Sequence, residues 1–243
     1  VLHTDPVATT PASQLASLGE LVDDIRAGKV DALLILGGNP VYDAPADLRF
    51  GDALKQVAFT ARLGLYEDET SAACQWHIPE AHALEAWSDL RAWDGTASIV
   101  QPLIAPLYGG KSAHEVLLGL SQTPGRPAYD VVRDTWKQAA AAAGALDAEQ
   151  YWRTAVHDGM VKGTGFPLKT VVAGNVFASL APQAPAGSGL DLVLRPDPTV
   201  HDGRFANLGW LQELPKPFTK LTWDNTVQFS PATAARAGIR NED

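Results

Sequence analysis

Cysteine is almost absent from this 243-residue chain, which has only Cys74. One thiol excludes an internal disulfide, and it excludes an iron–sulfur cluster held by this chain alone, since such clusters take four thiolates. A cysteine-based structural zinc site fails on the same count. Low cysteine usage suits the cytoplasm without demanding it, so the redox compartment stays open. Long apolar runs are also missing: the best, Ala32–Leu36, falls far short of the roughly 20 residues that span a bilayer. Positive charge is in deficit, with 19 Lys and Arg against 28 Asp and Glu and a net charge of -9. Nucleic acids and anionic lipid surfaces would be repelled. No basic segment followed by an apolar one opens the chain as a signal peptide would. It begins at Val1 and ends at Asn241-Glu242-Asp243 after a stretch that reads as mid-domain, so the chain reads as a fragment.

What is present is a globular composition, 46% hydrophobic and 19% charged. Ser17 and Glu20 have capping-box spacing, Leu18, Leu21, Val22 and Ile25 recur at helical spacing, and Gly28 suits a left-handed stop. The run Asp31–Leu36 then predicts a strand covered on both faces, as in a parallel sheet. A helical stretch over Ala46–Lys55 leads to a second strand at Val57–Thr60, and this alternation is the doubly wound α/β pattern. Between Trp76 and Leu107, tryptophan and proline accumulate around a strand at Ala97–Val100. Ser112 and Glu115 form another capping box. Helices follow over Asp130–Ala143, with Val131, Val132 and Trp136 on the buried side, and over Asp147–Val156, with a further strand at Thr170–Ala173. The Pro- and Gly-rich segment Ala181–Gly189 reads as a linker, after which Leu190–Leu194 alternates as a strand. The turn-rich remainder reads as the opening of an all-β domain. Its Phe205, Trp210, Phe218, Trp223 and Phe229 are expected at an inter-chain contact or folded back on the α/β body.

Gly110-Lys111-Ser112 looks like the tail of a phosphate-binding loop, but Ala105 stands where the first glycine belongs, and a capped helix start explains the residues. His77, Glu80, His82 and Glu85 carry metal-ligand chemistry. Pro79 interrupts any helix between the two histidines, so one helical face cannot present both, and surface or structural roles are favoured. Glu67-Asp68-Glu69 is a charge run of the kind usually solvated. No nucleophile elbow or dinucleotide glycine fingerprint is present, so no catalytic residue and no metal ligand is assigned. The best local signal is Gly37-Gly38-Asn39-Pro40, at the carboxyl end of a buried strand, where ligands of doubly wound sheets bind. Glycines there admit a ligand to the backbone, and Asn39 both donates and accepts. The same four residues serve equally well as a tight strand-to-loop turn.

Taken together, these stretches resemble the molybdopterin oxidoreductase superfamily. The strand ending in Gly37-Gly38-Asn39-Pro40 looks like that family's third-domain loop, which approaches a pterin guanine dinucleotide in active members. Glu69-Thr70, Ile78-Pro79, Leu84-Glu85 and Gly95-Thr96 are similar to the return from that domain. Arg195–Pro198 through Gly203–Asn207 to Trp210 looks like entry into its β-barrel fourth domain. The blocks Asp68–Glu80, Asp94–Ile104 and Trp210–Pro217 are similar to the molybdopterin-like iron–sulfur subunit of alternative complex III. The resemblance implies three segments: a Rossmann-like α/β domain over 1–75, an α/β return segment over 76–181, and the start of a β-barrel domain over 190–243. It implies a non-catalytic scaffold in a quinol-oxidising respiratory complex, peripheral on the periplasmic face of a bacterial membrane and bound to other subunits. Iron–sulfur clusters then lie in a separate cysteine-rich domain of the parent protein. No cofactor is expected in this chain, and Gly37–Pro40 is a vestigial cofactor loop. The bulk of Trp76 and His77, where catalytic relatives carry small or aliphatic residues, would fill space a cofactor needs. The alternative is a piece of an active enzyme that binds part of a molybdopterin guanine dinucleotide.

Overall fold

The computed structural model describes residues 2–8, 13–172, 174 and 189–240. The chain divides into two compact units, Val1–Ala184 and Pro185–Asp243.

The first unit opens on α1 (Gln14–Arg26). Its cap is Ser13, whose hydroxyl accepts from the Ala16 amide, so Ser17 lies inside the helix and the expected capping box is not formed. The helix begins one turn earlier because Ser13 offers the same cap chemistry, leaving the Ser17 amide to bond the Ser13 carbonyl. The stop at Gly28 is as the sequence predicts: its φ is +69°, its amide bonds the Ile25 carbonyl, and Lys29 bonds back to Asp24.

Three parallel strands follow, β1 (Ala32–Leu36), β2 (Phe59–Gly64) and β3 (Trp76–Pro79), in spatial order β1-β2-β3. The connections carry α2 (Pro40–Asp43), a 3₁₀ turn (Ala46–Leu48), α3 (Phe50–Leu54) and α4 (Glu69–Ala73). Arg49, at φ +48°, breaks the single helix expected over 46–55 into that turn and α3. Val22 and Ile25 of α1 and Phe50, Ala53 and Leu54 of α3 form one core with Val57, against which Leu33 and Ile35 of β1 pack. The buried Val22, Ile25, Phe50 and Leu54 side chains each contribute about 1.5–3 kcal/mol by leaving water. From Thr60 onward β2 is buried, while β1 lies at the sheet edge and is only half-buried. The expectation that β1 is covered on both faces is therefore corrected: its apolar run reflects one packed face and one open face.

A second sheet is antiparallel, with β4 (Ser88–Arg91), β5 (Ala97–Val100) and β6 (Met160–Val161) in that order. Around it lie α5 (Ala113–Gly119), α6 (Ala128–Ala142) and α7 (Ala148–Asp158). The capping box at Ser112 and Glu115 is formed in both directions, and Asp147 caps α7 through the Glu149 and Gln150 amides. Val132, Trp136, Trp152 and Ala155 of the helices pack with Ala97, Ile99 and Val161 of the strands. Val131, expected with them, is only half-buried. The first unit is thus α/β with one parallel and one antiparallel sheet.

An ion network ties α7 to α6. Glu149 accepts from Arg133 at 2.7 Å and Lys137 at 3.1 Å, and these hydrogen bonds hold its carboxyl at about 2, below the ordinary 4.5. A depressed carboxyl contributes fully above its unfolded pKa and loses that contribution as pH falls through the folded one. We expect the α6–α7 pair to weaken between about pH 4.5 and 2, followed by tryptophan fluorescence. Glu149→Gln should flatten the profile in that window, and an unchanged profile would remove Glu149 from the explanation.

In the second unit the Asp197 carboxylate accepts from Thr199 and Val200 and lies 3.4 Å from Lys216. Two short helices follow, α8 (Gly209–Glu213) and α9 (Pro231–Ala237), the latter capped by Ser230. The expected strand over 190–194 is not formed, because no described residue pairs with it and a strand exists only by pairing. Residues 170–172 likewise join no sheet, and Ala173 lies outside the described residues. So does most of the linker, over 181–188. Phe218 is 98% exposed and Trp210 90%, so neither is folded away, while Phe205 and Phe229 are only about 40% exposed.

Candidate functional site

The carboxyl edge of the parallel sheet gathers the polar residues of the first unit around one buried side chain, Arg62 of β2, whose side chain is 5% exposed. An arginine this deep must satisfy its donors within the protein. Its Nε bonds the Gly38 carbonyl at 3.1 Å, and Nη2 reaches the same oxygen. Nη1 donates to the Tyr66 carbonyl at 3.2 Å and Ser71 Oγ at 2.9 Å, and Nη2 lies 2.7 Å from Asp68. Asp68 also caps α4 by accepting from the Ser71 amide. Ser71 Oγ in turn lies 2.9 Å from His77 Nδ1. Gly64 makes room for this arrangement: a Cβ there would sit 2.1 Å from Nη1.

Gly37–Pro40 borders the cluster. Gly37 and Gly38 hold φ of +66° and +67°, a conformation that favours glycine, and a Cβ built at Gly37 meets nothing within 4 Å. Asn39 does not face an open site with a free amide. Its Nδ2 donates to Glu69 at 2.7 Å, and its Oδ1 accepts from the Thr70 amide at 3.1 Å and hydroxyl at 2.6 Å. The hydrogen bond from Asn39 holds the Glu69 carboxyl below the usual range. Thr70 Oγ1 then accepts from the Val41 amide, so the α2 and α4 starts are latched together.

The other sequence candidates disperse into structural roles. The Glu85 carboxylate accepts from the His82 and Leu107 amides, and His82 Nδ1 accepts from the Leu84 amide. Burial pushes the Glu80 carboxyl up, with Arg62 opposing it. Among the described residues no group of three or more His, Cys, Asp and Glu could hold a metal ion. Asp68 and Glu69 are not simply solvated, since both anchor the loop edge. Gly110 lies against the Ala81 backbone, where a Cβ would approach to 2.9 Å, and Lys111 bonds Pro79 and Ala81 through its backbone. These contacts account for the phosphate-loop-like residues. Trp76, expected to fill space, is instead 63% exposed. Burial raises the Cys74 thiol, which therefore stays protonated at neutral pH.

No family model matches the chain. It is similar to the menaquinone reductase, molybdopterin-binding-like subunit of Nitratidesulfovibrio vulgaris, with 28% identity over 241 residues and 90% of this chain. That likeness supports a molybdopterin oxidoreductase-like relationship. The chain spans about a third of that relative's length. A pterin dinucleotide needs polar partners for its phosphates and guanine edge. At this edge there is room beside Gly37, but the polar side chains of Asn39, Arg62, Asp68 and Ser71 are engaged with one another. As arranged, these side chains do not fit the group. Sequence reasoning missed Arg62, the centre of the edge. The signal was there in Ala61-Arg62-Leu63-Gly64, an arginine in an apolar strand followed by a glycine. No helix among the described residues is long and apolar enough to cross a membrane.

Proposed function

We propose that this chain is a non-catalytic scaffold segment of a longer, molybdopterin oxidoreductase-like subunit in a quinone-linked respiratory complex. The observation that carries the reading is the self-engaged polar edge at Gly37–Pro40, in a chain similar to a menaquinone reductase subunit. In this reading Gly37, Gly38, Asn39 and Pro40 keep the shape of a cofactor loop and serve as a latch between α2 and α4. Residues 1–75 and 76–181 correspond to two α/β segments of a doubly wound design, and 190–243 to the start of a barrel whose strands pair elsewhere. The exposed Trp210 and Phe218 suit a subunit surface in an assembly of the alternative complex III kind, on the periplasmic side of the membrane, with iron–sulfur clusters in another domain.

The test is metal and pterin analysis of the purified complex, together with release of guanine nucleotide on denaturation. The expected result is no molybdenum, tungsten or pterin in proportion to this subunit. The second reading, an active enzyme holding part of a molybdopterin guanine dinucleotide, draws on the positive φ and open surroundings of Gly37 and Gly38. About one pterin per subunit, lost on Gly38→Val, would replace the scaffold reading with that one.

A further inference from the structure

The parallel sheet is open along its β1 edge and over the adjoining part of one face, whereas beside β3 Lys111 bonds the Pro79 carbonyl and the Ala81 amide. Phe59 N bonds the Asp31 carbonyl and Gly37 N bonds the Leu63 carbonyl. In a parallel ladder alternate residues turn their backbone groups to the same neighbour, so Asp31, Leu33, Ile35 and Gly37 face β2. Ala32, Leu34 and Leu36 therefore turn their N–H and C=O groups outward, where no described residue pairs with them. The strand Ala32–Leu36 carries no charge, no proline and no bulge, the devices that keep a true edge unpaired. On the face opposite α1 and α3 lies a groove of about 760 Å³. Leu34, Phe59, Ala61 and Ile78 line it from the sheet, with Val116 of α5 and Leu120 just after that helix. All-parallel sheets occur with both faces covered, and this groove leaves the β1 side of one face open, with Phe59 47% and Leu36 41% exposed while Ala61 and Leu63 are covered.

Three kinds of occupant differ in what they satisfy. A small apolar ligand would fill the groove and leave the strand edge unpaired. A second copy pairing β1 to β1 across a twofold axis would satisfy the edge. Both open faces would then lie on the same side, still uncovered. A strand laid parallel to β1 does both, if its crossover runs away from β2. Right-handed crossovers in that direction place their helix on the face opposite α3, over the groove. Two turns of helix, about 10 Å across and 11 Å long, have roughly the groove's volume. Lys111, at the groove wall, has no ion-pair partner among the described residues, and an acidic residue on the flank of that helix would meet it.

We infer that β1 and the open sheet face receive a parallel strand–helix unit from the same polypeptide, beyond these 243 residues. The inference rests on the reading of the chain as part of a longer subunit. The similar subunit holds about two thirds of its length outside the matched region. The test is amide hydrogen exchange of β1, comparing the polypeptide isolated from its source with the 243-residue chain alone. Ala32, Leu34 and Leu36 amides are expected to exchange at least about 100-fold more slowly in the longer polypeptide. Leu36→Lys, at an exposed position, should return Ala32 and Leu34 to the isolated-chain rate without altering the α1–α3 core. A photo-cross-linker at position 111 should capture a strand–helix segment of the same chain. Equal exchange in both forms overturns the inference, as does a cross-link to another subunit or to a second copy. The mass of the source polypeptide tests the underlying reading separately, since a 25.8 kDa product would remove it.

Discussion

Arg62→Ala is expected to destabilise the first unit by about 3–5 kcal/mol, the range found when one partner of a buried ion pair is removed. Whole domains have only about 5–15 kcal/mol of stability, so this is a large share. The loss has two sources. Asp68 keeps a charge at a half-buried position without its 2.7 Å partner, and the Gly38 and Tyr66 carbonyls and Ser71 hydroxyl lose their donor. Lysine should not rescue, because one ammonium cannot span acceptors set around a planar five-donor fork. Asp68→Asn keeps the oxygen that caps α4 and removes only the charge, so it should fall between wild type and Arg62→Ala. Gly64→Ala should approach the arginine variant, since its methyl would occupy the guanidinium's place. Denaturant midpoints at constant slope would measure all four. A loss below about 1 kcal/mol for Arg62→Ala would mean that the edge is held by other contacts.

Arg62 also marks where sequence reasoning reached its limit. The pattern in Leu18, Leu21, Val22 and Ile25 identifies the packed face of α1, because helical periodicity is a local property. Gly28 and the Ser112–Glu115 box are legible for the same reason: each needs only neighbours along the chain. The sequence predicts a strand over Val57–Thr60, whereas β2 runs from Phe59 to Gly64, because Arg62 breaks the apolar run that announces a buried strand. What makes an arginine acceptable there lies at Gly38, Tyr66, Asp68 and Ser71, and that grouping exists only once β1 and β2 pair. The covering of β1 is not legible in its apolar run, since a continuous run cannot distinguish a strand covered on both faces from one covered on a single face. At the candidate site the loop Gly37–Pro40 was found from its glycines and its place after a strand. The engagement of Asn39 by Glu69 and Thr70, some thirty residues away, was not legible.

Trp152→Ala is expected to have a comparable effect on the second core, about 3–5 kcal/mol, as for other deletions of large buried aromatic side chains. Trp152 is 3% exposed on α7 and forms a three-ring cluster, 6.2 Å from Trp87 and 6.0 Å from Tyr129, with the Tyr129 pair edge-on at 68°. Such pairs add about 0.5–1.5 kcal/mol beyond area burial. The position matters because α7 leads directly through Gly159 into β6, a strand of two residues that pairs with Ala97 and Ser98. So short a strand has little ladder to hold it, and its Val161 depends on the same core. Removing the indole therefore loosens α7 and the sheet edge together. The near-UV circular dichroism of the three rings should collapse along with the drop in stability. Trp93→Ala is the control, because that side chain is 90% exposed. Its removal should change stability by less than about 0.5 kcal/mol, as surface substitutions do. If the two variants unfold at the same denaturant concentration, the aromatic cluster is not what joins α7 to the antiparallel sheet.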